Sequence, residues 1–263
     1  MDLGLTGKVA IVAASSKGIG RAVAEGLAAE GARVAMLARD REALELAARE
    51  IRDRRQAEVL AIPADLAGPE DIRRAVSATV ERWGTVNVLV CSAGGPPAGT
   101  FATVDDAAWQ RAFDLTLMSV VRLVREVRPH MQKAGGGAIV TLQSSSVKVP
   151  IDNLILSNSI RAGVAGLAKS LALELAKDNI RVNTVLPGAI LTDRLRSLMT
   201  EQAKLAGKSY EEMRRAREAN IPLAHIGEPE DVADMIIFLA SERAKYVTGV
   251  AVQVDGGLVK SVL

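Results

Sequence analysis

The chain carries a single cysteine, Cys91, among 263 residues, which excludes any internal disulfide. Cys91 lies in an apolar run and reads as a small core residue rather than a nucleophile. Histidine is nearly as scarce. His130 and His225 are the only two, and neither has partners at metal-ligand spacing, so no metal site is expected. A His-dependent catalytic triad would need one of them, and no nucleophile-elbow motif accompanies either. Aromatic residues make up 3% of the chain, so the core must come from the Ala, Val, Leu and Ile of its 49% apolar fraction. No charge sign prevails: 33 basic and 31 acidic residues give a net charge of +2, which leaves no electrostatic footprint for nucleic acid or an anionic membrane. The basic runs IRDRRQ (51–56) and MRRAREA (213–219) mix signs at helical spacing and read as solvated helix faces. Long apolar runs are missing too. The longest uncharged stretch, 83–104, is interrupted by Asn87, Ser92, Gly94, Gly95, Pro96 and Pro97, and does not suit a membrane helix. The opening MDLGLTGKVAIV lacks the basic head and long apolar stretch of a secretion signal, so a cytoplasmic protein is expected.

What is present is an alternation. The apolar runs KVAIVAA (8–14), RVAMLA (33–38), EVLAIPA (58–64), VNVLVCSAG (86–94), GGAIVTLQS (136–144), IRVNTVLPG (180–188) and GVAVQVDGG (249–257) predict strands. Between them, 18–32, 40–55, 68–84, 105–133, 156–178 and 228–241 have helical periodicity. Apolar strands separated by helices imply an α/β fold: a Rossmann-type doubly wound sheet of seven parallel strands, with helices on both faces. No stretch reads as a linker, so residues 1–263 are expected to form a single dinucleotide-binding domain. Residues 192–221 break the alternation as a long, charged, helical insertion, and are expected to act as a lid.

The turn AASSKGIG (13–20) joins the first strand to the first helix. A helix N-terminus offers free backbone N–H groups and the positive end of its dipole, which suits a pyrophosphate. Gly18 and Gly20 allow the tight turn and close helix–strand packing this requires. Further along stand ADL (64–66), SAG (92–94), RVNTVLPG (181–188) followed by Thr192, and GEPEDVADMIIFLAS through YVTGVAVQVDGG to the end. With the glycine turn, these ordered motifs identify the chain as similar to short-chain dehydrogenase/reductases, close to the 3-oxoacyl-acyl-carrier-protein reductase branch, over nearly its full length.

That resemblance implies site residues. Ser15, Lys17, Gly18, Ile19 and Gly20 form the nucleotide turn, although Ala13 and Ala14 replace the family's Thr and first Gly. The methyl of Ala14 would narrow the approach to the pyrophosphate. Asp65 and Leu66 would lie beside the adenine, and Ala93 and Gly94 beside the nicotinamide ribose. Pro187, Gly188, Ile190 and Thr192 would flank the nicotinamide. NAD-preferring relatives carry an Asp at the end of the second strand, where this chain has Ala38 followed by Arg39. Two cations, Lys17 and Arg39, without that carboxylate favour NADP(H) over NAD(H). Asp40 reads as the cap of the next helix rather than as the NAD-selecting acid.

The family's catalytic set is a Tyr acid, a Lys four residues on, a Ser that orients the carbonyl and an Asn that anchors a water. In LSNSIRAG (156–163), Ser157 occupies the Tyr position and Arg161 the Lys position, where the resemblance implies that it would hold the cofactor's ribose. Ser144, thirteen residues before Ser157, keeps the carbonyl-orienting role, and Thr116 stands at the Asn position. A serine hydroxyl is a far weaker acid than a phenol, so the proton donor is altered. Lys148 and Tyr210 are possible substitutes, whereas Tyr246 reads as structural and Ser145 and Ser146 as turn residues. The resemblance therefore implies an NADP(H)-dependent oxidoreductase of a small carbonyl, alcohol or 3-oxoacyl thioester with an atypical proton donor. The alternatives are a nucleotide-binding sensor or assembly subunit without turnover, or a scaffold that no longer binds dinucleotide. Relatives assemble through the helices carried here by 105–133 and 156–178, and the small residues Ala162, Gly163, Ala165 and Gly166 suit such packing, so a homotetramer or homodimer is expected.

Overall fold

The computed structural model describes residues 1–261. Seven strands form one wholly parallel sheet: β1 (Val9–Ala13), β2 (Arg33–Ala38), β3 (Val59–Pro63), β4 (Val88–Cys91), β5 (Gly137–Leu142), β6 (Ile180–Pro187) and β7 (Ala251–Val254). Their order is β3-β2-β1-β4-β5-β6-β7, so the chain reverses its direction across the sheet between β1 and β4. Such a reversal opens a crevice at the carboxyl ends of the strands, where ligands of doubly wound folds bind. The near-continuous Val, Ile, Leu and Ala content of the strands follows from burial on both faces. On one face, helices α1 (Gly18–Ala29), α2 (Arg41–Arg55) and α9 (Pro229–Ala240) press Val23, Leu27, Leu44, Ile51 and Ile236 onto the sheet. On the other, α3 (Pro69–Trp83), α5 (Ser119–Lys133) and α6 (Ile155–Leu175) contribute Ile72, Val76, Leu123, Val127 and Val164. Cys91 is one of these core residues, and burial pushes its thiol up to about 12. Among the described residues no helix is long and apolar enough to cross a membrane, and no His, Cys, Asp and Glu cluster could hold a metal ion.

Caps fix the helix starts. The Asp40 carboxylate accepts from the Ala43 N–H at 3.0 Å, which makes it the N-cap of α2, as its position suggests. The long helix expected over 105–133 is not regular. It runs as α4 (Asp106–Phe113), a π-helical turn over Asp114–Met118, and then α5. Helical periodicity does not register a one-residue slip in hydrogen bonding, and such π-bulges concentrate at functional sites. Thr116 lies inside this turn.

The 192–221 insertion is a helical hairpin, α7 (Asp193–Ala206) and α8 (Tyr210–Glu218), the second started by a Ser209–Glu212 capping box. Its apolar side forms a small separate cluster of Leu191, Met199, Ile221 and Ile226, with Leu195 and Tyr210 packed against it.

Candidate active site

The glycine turn is built by two close approaches. A side chain on Gly20 would run into the Ala14 carbonyl, so only glycine lets α1 start so near β1. Gly18 sits at φ +57° with Thr192 against it, the Thr192 Cγ2 lying 3.3 Å from where a Cβ would be. Ala14 holds a left-handed φ of 52°, a conformation that glycine accepts without strain and alanine does not. The Lys17 backbone caps α1 without a side-chain bond, so the first N–H groups of the helix face the crevice end. Ser15 does not join them. Its hydroxyl is buried and donates to the Val12 carbonyl at 2.9 Å, which ties the turn to β1. A Cβ at Gly188 would strike Asp255, so glycine there lets β6 pass close to the segment after β7. Gly188, Ile190 and Thr192 thus form a tight run in which the Thr192 N–H donates to the Ile190 carbonyl at 2.8 Å. Thr192 also caps α7 through Leu195.

Beyond the carboxyl end of β2 lies a cavity of about 530 Å³ lined by Arg39, Arg41, Arg74, Asp65 and Asp71. Arg74 pairs with Asp71 at 3.1 Å, whereas Arg39 and Arg41 have no acidic partner among the described residues. Asp65 shapes the loop by accepting from the Ala67 N–H at 3.0 Å, and the side chain of Leu66 points into the core. Sequence reading found Arg39 and Asp65 but missed Arg41 and Arg74. Arg41 was visible as the second cation of Arg-Asp-Arg at 39–41, whereas Arg74 comes from α3 and is brought in only by the fold.

The catalytic end is organised by Arg161. This residue is 8% exposed and Ser157, one turn earlier on α6, is 6% exposed. Arg161 Nε donates to Ser157 Oγ at 3.1 Å. Its Nη1 donates to the Leu142 carbonyl at 3.4 Å and to the Gln143 carbonyl and Oε1, each at 3.3 Å. All these acceptors are neutral. Burial, reinforced by the charge of Arg194, pushes the guanidinium down to about 10. Ser144 follows β5, and its Oγ accepts from the Ser146 N–H at 3.1 Å, which leaves its own O–H free to donate. Gln143 was not expected. It occupies the residue before Ser144, and only the structure shows it clamping Arg161.

Thr116 is 1% exposed, and its hydroxyl is buried without a protein partner. An orphaned buried hydroxyl of this kind suits an ordered water. Of the two proposed substitutes for the missing acid, neither makes a side-chain hydrogen bond to Ser144 or Ser157 among the described residues. Lys148 closes the 3₁₀ turn Ser145–Val147 through its backbone. The Tyr210 hydroxyl is sealed without a partner in the lid cluster. Tyr246 is 102% exposed, so it is not the packed structural residue expected. Ala93 packs against the core, and the space above Gly94 is open. At Gly95 the Arg194 guanidinium, reaching from α7, fills the place a side chain would take, and its Nη2 donates to the Pro96 carbonyl at 3.0 Å.

A doubly wound sheet with a glycine turn at its switch point, and with Arg161 bonded to Ser157 and to Leu142 and Gln143 at the end of β5, is the architecture of dinucleotide-binding oxidoreductases. The family model described as Enoyl-(Acyl carrier protein) reductase matches residues 13–259, and the chain belongs to the short-chain dehydrogenase/reductase family. It is 33% identical over 253 residues to dehydrogenase/reductase SDR family member 4 of Caenorhabditis elegans, covering 96% of this chain and 95% of that one. L-sorbose reductase from Gluconobacter frateurii, solved with NADPH and L-sorbose, superposes with a TM-score of 0.97 at 36% identity over 100% of both chains. An NADPH-bound short-chain oxidoreductase from Pseudomonas aeruginosa PAO1, described as containing an atypical catalytic center, superposes with a TM-score of 0.88 at 33% identity, covering 97% of this chain and 98% of that one.

Proposed function

We propose that the chain is an NADP(H)-dependent oxidoreductase of a small carbonyl compound, alcohol or 3-oxoacyl thioester, in which Ser157 backed by Arg161 replaces the family's tyrosine and lysine. The observation that carries this reading is the buried bond from Arg161 Nε to Ser157 Oγ at 3.1 Å. The residues present fit the cofactor. The N-terminus of α1 offers N–H groups at Gly18, Ile19 and Gly20, Thr192 stands against the turn, and Arg39, Arg41 and Arg74 line a cavity suited to a ribose 2′-phosphate. When bound, NADP(H) supplies or accepts the hydride. The NADPH-bound relatives with the same sheet support this choice over NAD(H).

The chain's own residues handle the proton. Ser144 donates its free O–H to the substrate carbonyl oxygen and orients it. Ser157 accepts from Arg161, so its own O–H is free to point at the same oxygen. As that oxygen becomes negative it takes the Ser157 proton, and the serine oxygen recovers one from solvent. Arg161 keeps a positive charge beside both oxygens while they change charge, which is electrostatic stabilisation by a preorganised donor. The orphaned Thr116 hydroxyl is placed to hold a water that resupplies protons.

The face of α6 bearing Ala162, Gly163 and Gly166 ends in Leu173, which is 73% exposed, and suits a homo-oligomer. The even charge and the missing apolar span fit a cytoplasmic enzyme. The test is to follow NADPH absorbance against a panel of ketones, sugars and 3-oxoacyl thioesters. Turnover lost in Ser157→Ala supports the assignment, whereas NADPH binding without turnover on any substrate refutes it.

A further inference from the structure

Two cations at the catalytic end lack any counter-charge. Arg161 is buried against neutral acceptors only, Ser157 Oγ, two carbonyls and the Gln143 amide oxygen, and its Nη2 has no protein acceptor among the described residues. Arg194 enters from the start of the lid and lies over Gly95, held by one neutral bond to the Pro96 carbonyl. The charge of Arg194 is felt at Arg161, where it adds to burial in lowering the guanidinium's pKa. No carboxylate lies within ion-pair distance of either among the described residues. The acids on neighbouring elements are committed elsewhere: Asp114 pairs with Arg122 at 3.1 Å, and Asp255 accepts from the Gly257 and Val259 N–H groups, each at 2.9 Å. Asp193, beside Arg194, is exposed.

Burying the Arg161 cation against neutral acceptors alone is costly unless an anion completes the set, and the exposed Arg194 at Gly95 is free to help hold one. The cofactor's phosphates already have the glycine turn and the Arg39, Arg41 and Arg74 cavity. We infer that Arg194, together with Arg161, recognises a carboxylate on the substrate, so that the preferred substrates are short oxo acids and their hydroxy-acid products rather than neutral carbonyls. This rests on the oxidoreductase reading and adds its substrate class. A guanidinium fork matches a carboxylate in plane and charge, and the flat backbone at Gly95 lets Arg194 lie across the crevice rather than project out of it.

The test compares acetoacetate and levulinate with their methyl esters on the full-length protein. The first readout is NADPH turnover. The second is thermal shift and calorimetric binding of each acid and ester at saturating NADPH. The wild type should favour each acid over its ester by roughly 10- to 100-fold in kcat/KM or in Kd, the range of one desolvated charge-assisted bond. Arg194→Gln should reduce that preference to within about 3-fold, and Arg194→Lys should keep part of it. Equal handling of acid and ester by the wild type overturns the inference. So does Arg194→Gln weakening acid and ester alike while raising the NADPH Kd, because the arginine would then serve the cofactor. If no compound turns over, the oxidoreductase reading fails and the binding arm decides. Stabilisation by the acids alone, lost in Arg194→Gln, sustains the anion site, and its absence removes it.

Discussion

Replacing Ser157 by alanine removes one oxygen and tests the whole proton-transfer scheme. In the structure that oxygen is the acceptor of the Arg161 Nε–H at 3.1 Å, inside a site where both side chains are more than nine-tenths buried. Two effects follow. A positioned general acid is worth about 10²–10⁴ in rate, so kcat should fall by that factor. The Arg161 N–H loses a buried partner, which costs about 1–3 kcal/mol of stability. In a chain of this size that lowers Tm by roughly 2–4 °C per kcal/mol, well short of unfolding at assay temperature. NADPH affinity should change little, because the phosphate-binding turn lies elsewhere. The assay is steady-state NADPH consumption on the best carbonyl found, with NADPH Kd measured separately. The pH dependence adds a second signature. With the Arg161 guanidinium pushed down to about 10, wild-type kcat should hold through neutral pH and fall as pH rises through about 10, where the cation behind Ser157 loses its proton. Ser157→Ala should lose that limb along with its rate. A variant that keeps kcat within about 3-fold of wild type, with the same limb, would show that the proton comes from another group.

Ala14→Gly should raise Tm, because Ala14 sits at φ 52° at a cost of about 1 kcal/mol; an unchanged Tm would refute the strain argument. The double change Arg39→Gln with Arg41→Gln should raise the Kd for NADPH by roughly 10- to 100-fold and leave that for NADH nearly unchanged, as read by cofactor fluorescence. The stability of Arg161→Met relative to wild type should improve as pH falls from about 12 to below 10 in denaturant titrations. The folded-state pKa of Arg161 lies below its ordinary value, so wild-type stability gains as pH rises through that window and carries the full cost of burying the cation below it. Light scattering at micromolar concentration should show a dimer or tetramer, and Leu173→Glu should shift it toward monomer.

The fold was readable because its signals are local. Apolar runs followed by helical periods gave every strand of the sheet, and Asp40 read correctly as a helix cap. At the site, Ser144, Ser157 and Arg161 were singled out through the family resemblance, and one turn of α6 puts Ser157 and Arg161 on the same face. What escaped is what the fold brings together from distant segments. Gln143 holds Arg161 across two elements, Arg194 reaches from the lid to Gly95, and Arg74 joins Arg39 from another helix. The π-turn at Thr116 was also hidden, because one residue of slipped hydrogen bonding leaves the apolar period almost unchanged. Tyr210 misled for the opposite reason: being one of two tyrosines marked it as a substitute acid, but the lid packs it among Leu191, Met199 and Ile221.

The retention of a charge at position 161 is itself informative. An apolar side chain of similar volume packed against Leu142 and Gln143 would avoid the cost of desolvating a guanidinium, and such replacements of buried ions are commonly neutral or stabilising. Among the described residues no acid offsets the charge, and its hydrogen bonds go to neutral oxygens that an apolar replacement would leave free for water from the crevice. Stability alone therefore gives no reason for arginine. Chemistry does. A cation beside Ser157 lowers the cost of a negative oxygen, whether on the serine or on the substrate, and a second cation from the lid adds to that field only where the crevice is open to a ligand. The family's lysine and tyrosine achieve this with an acid that titrates near the working range. Here a donor charged through neutral pH and a neutral alcohol divide the same task, so the arginine supplies the charge and the serine the geometry.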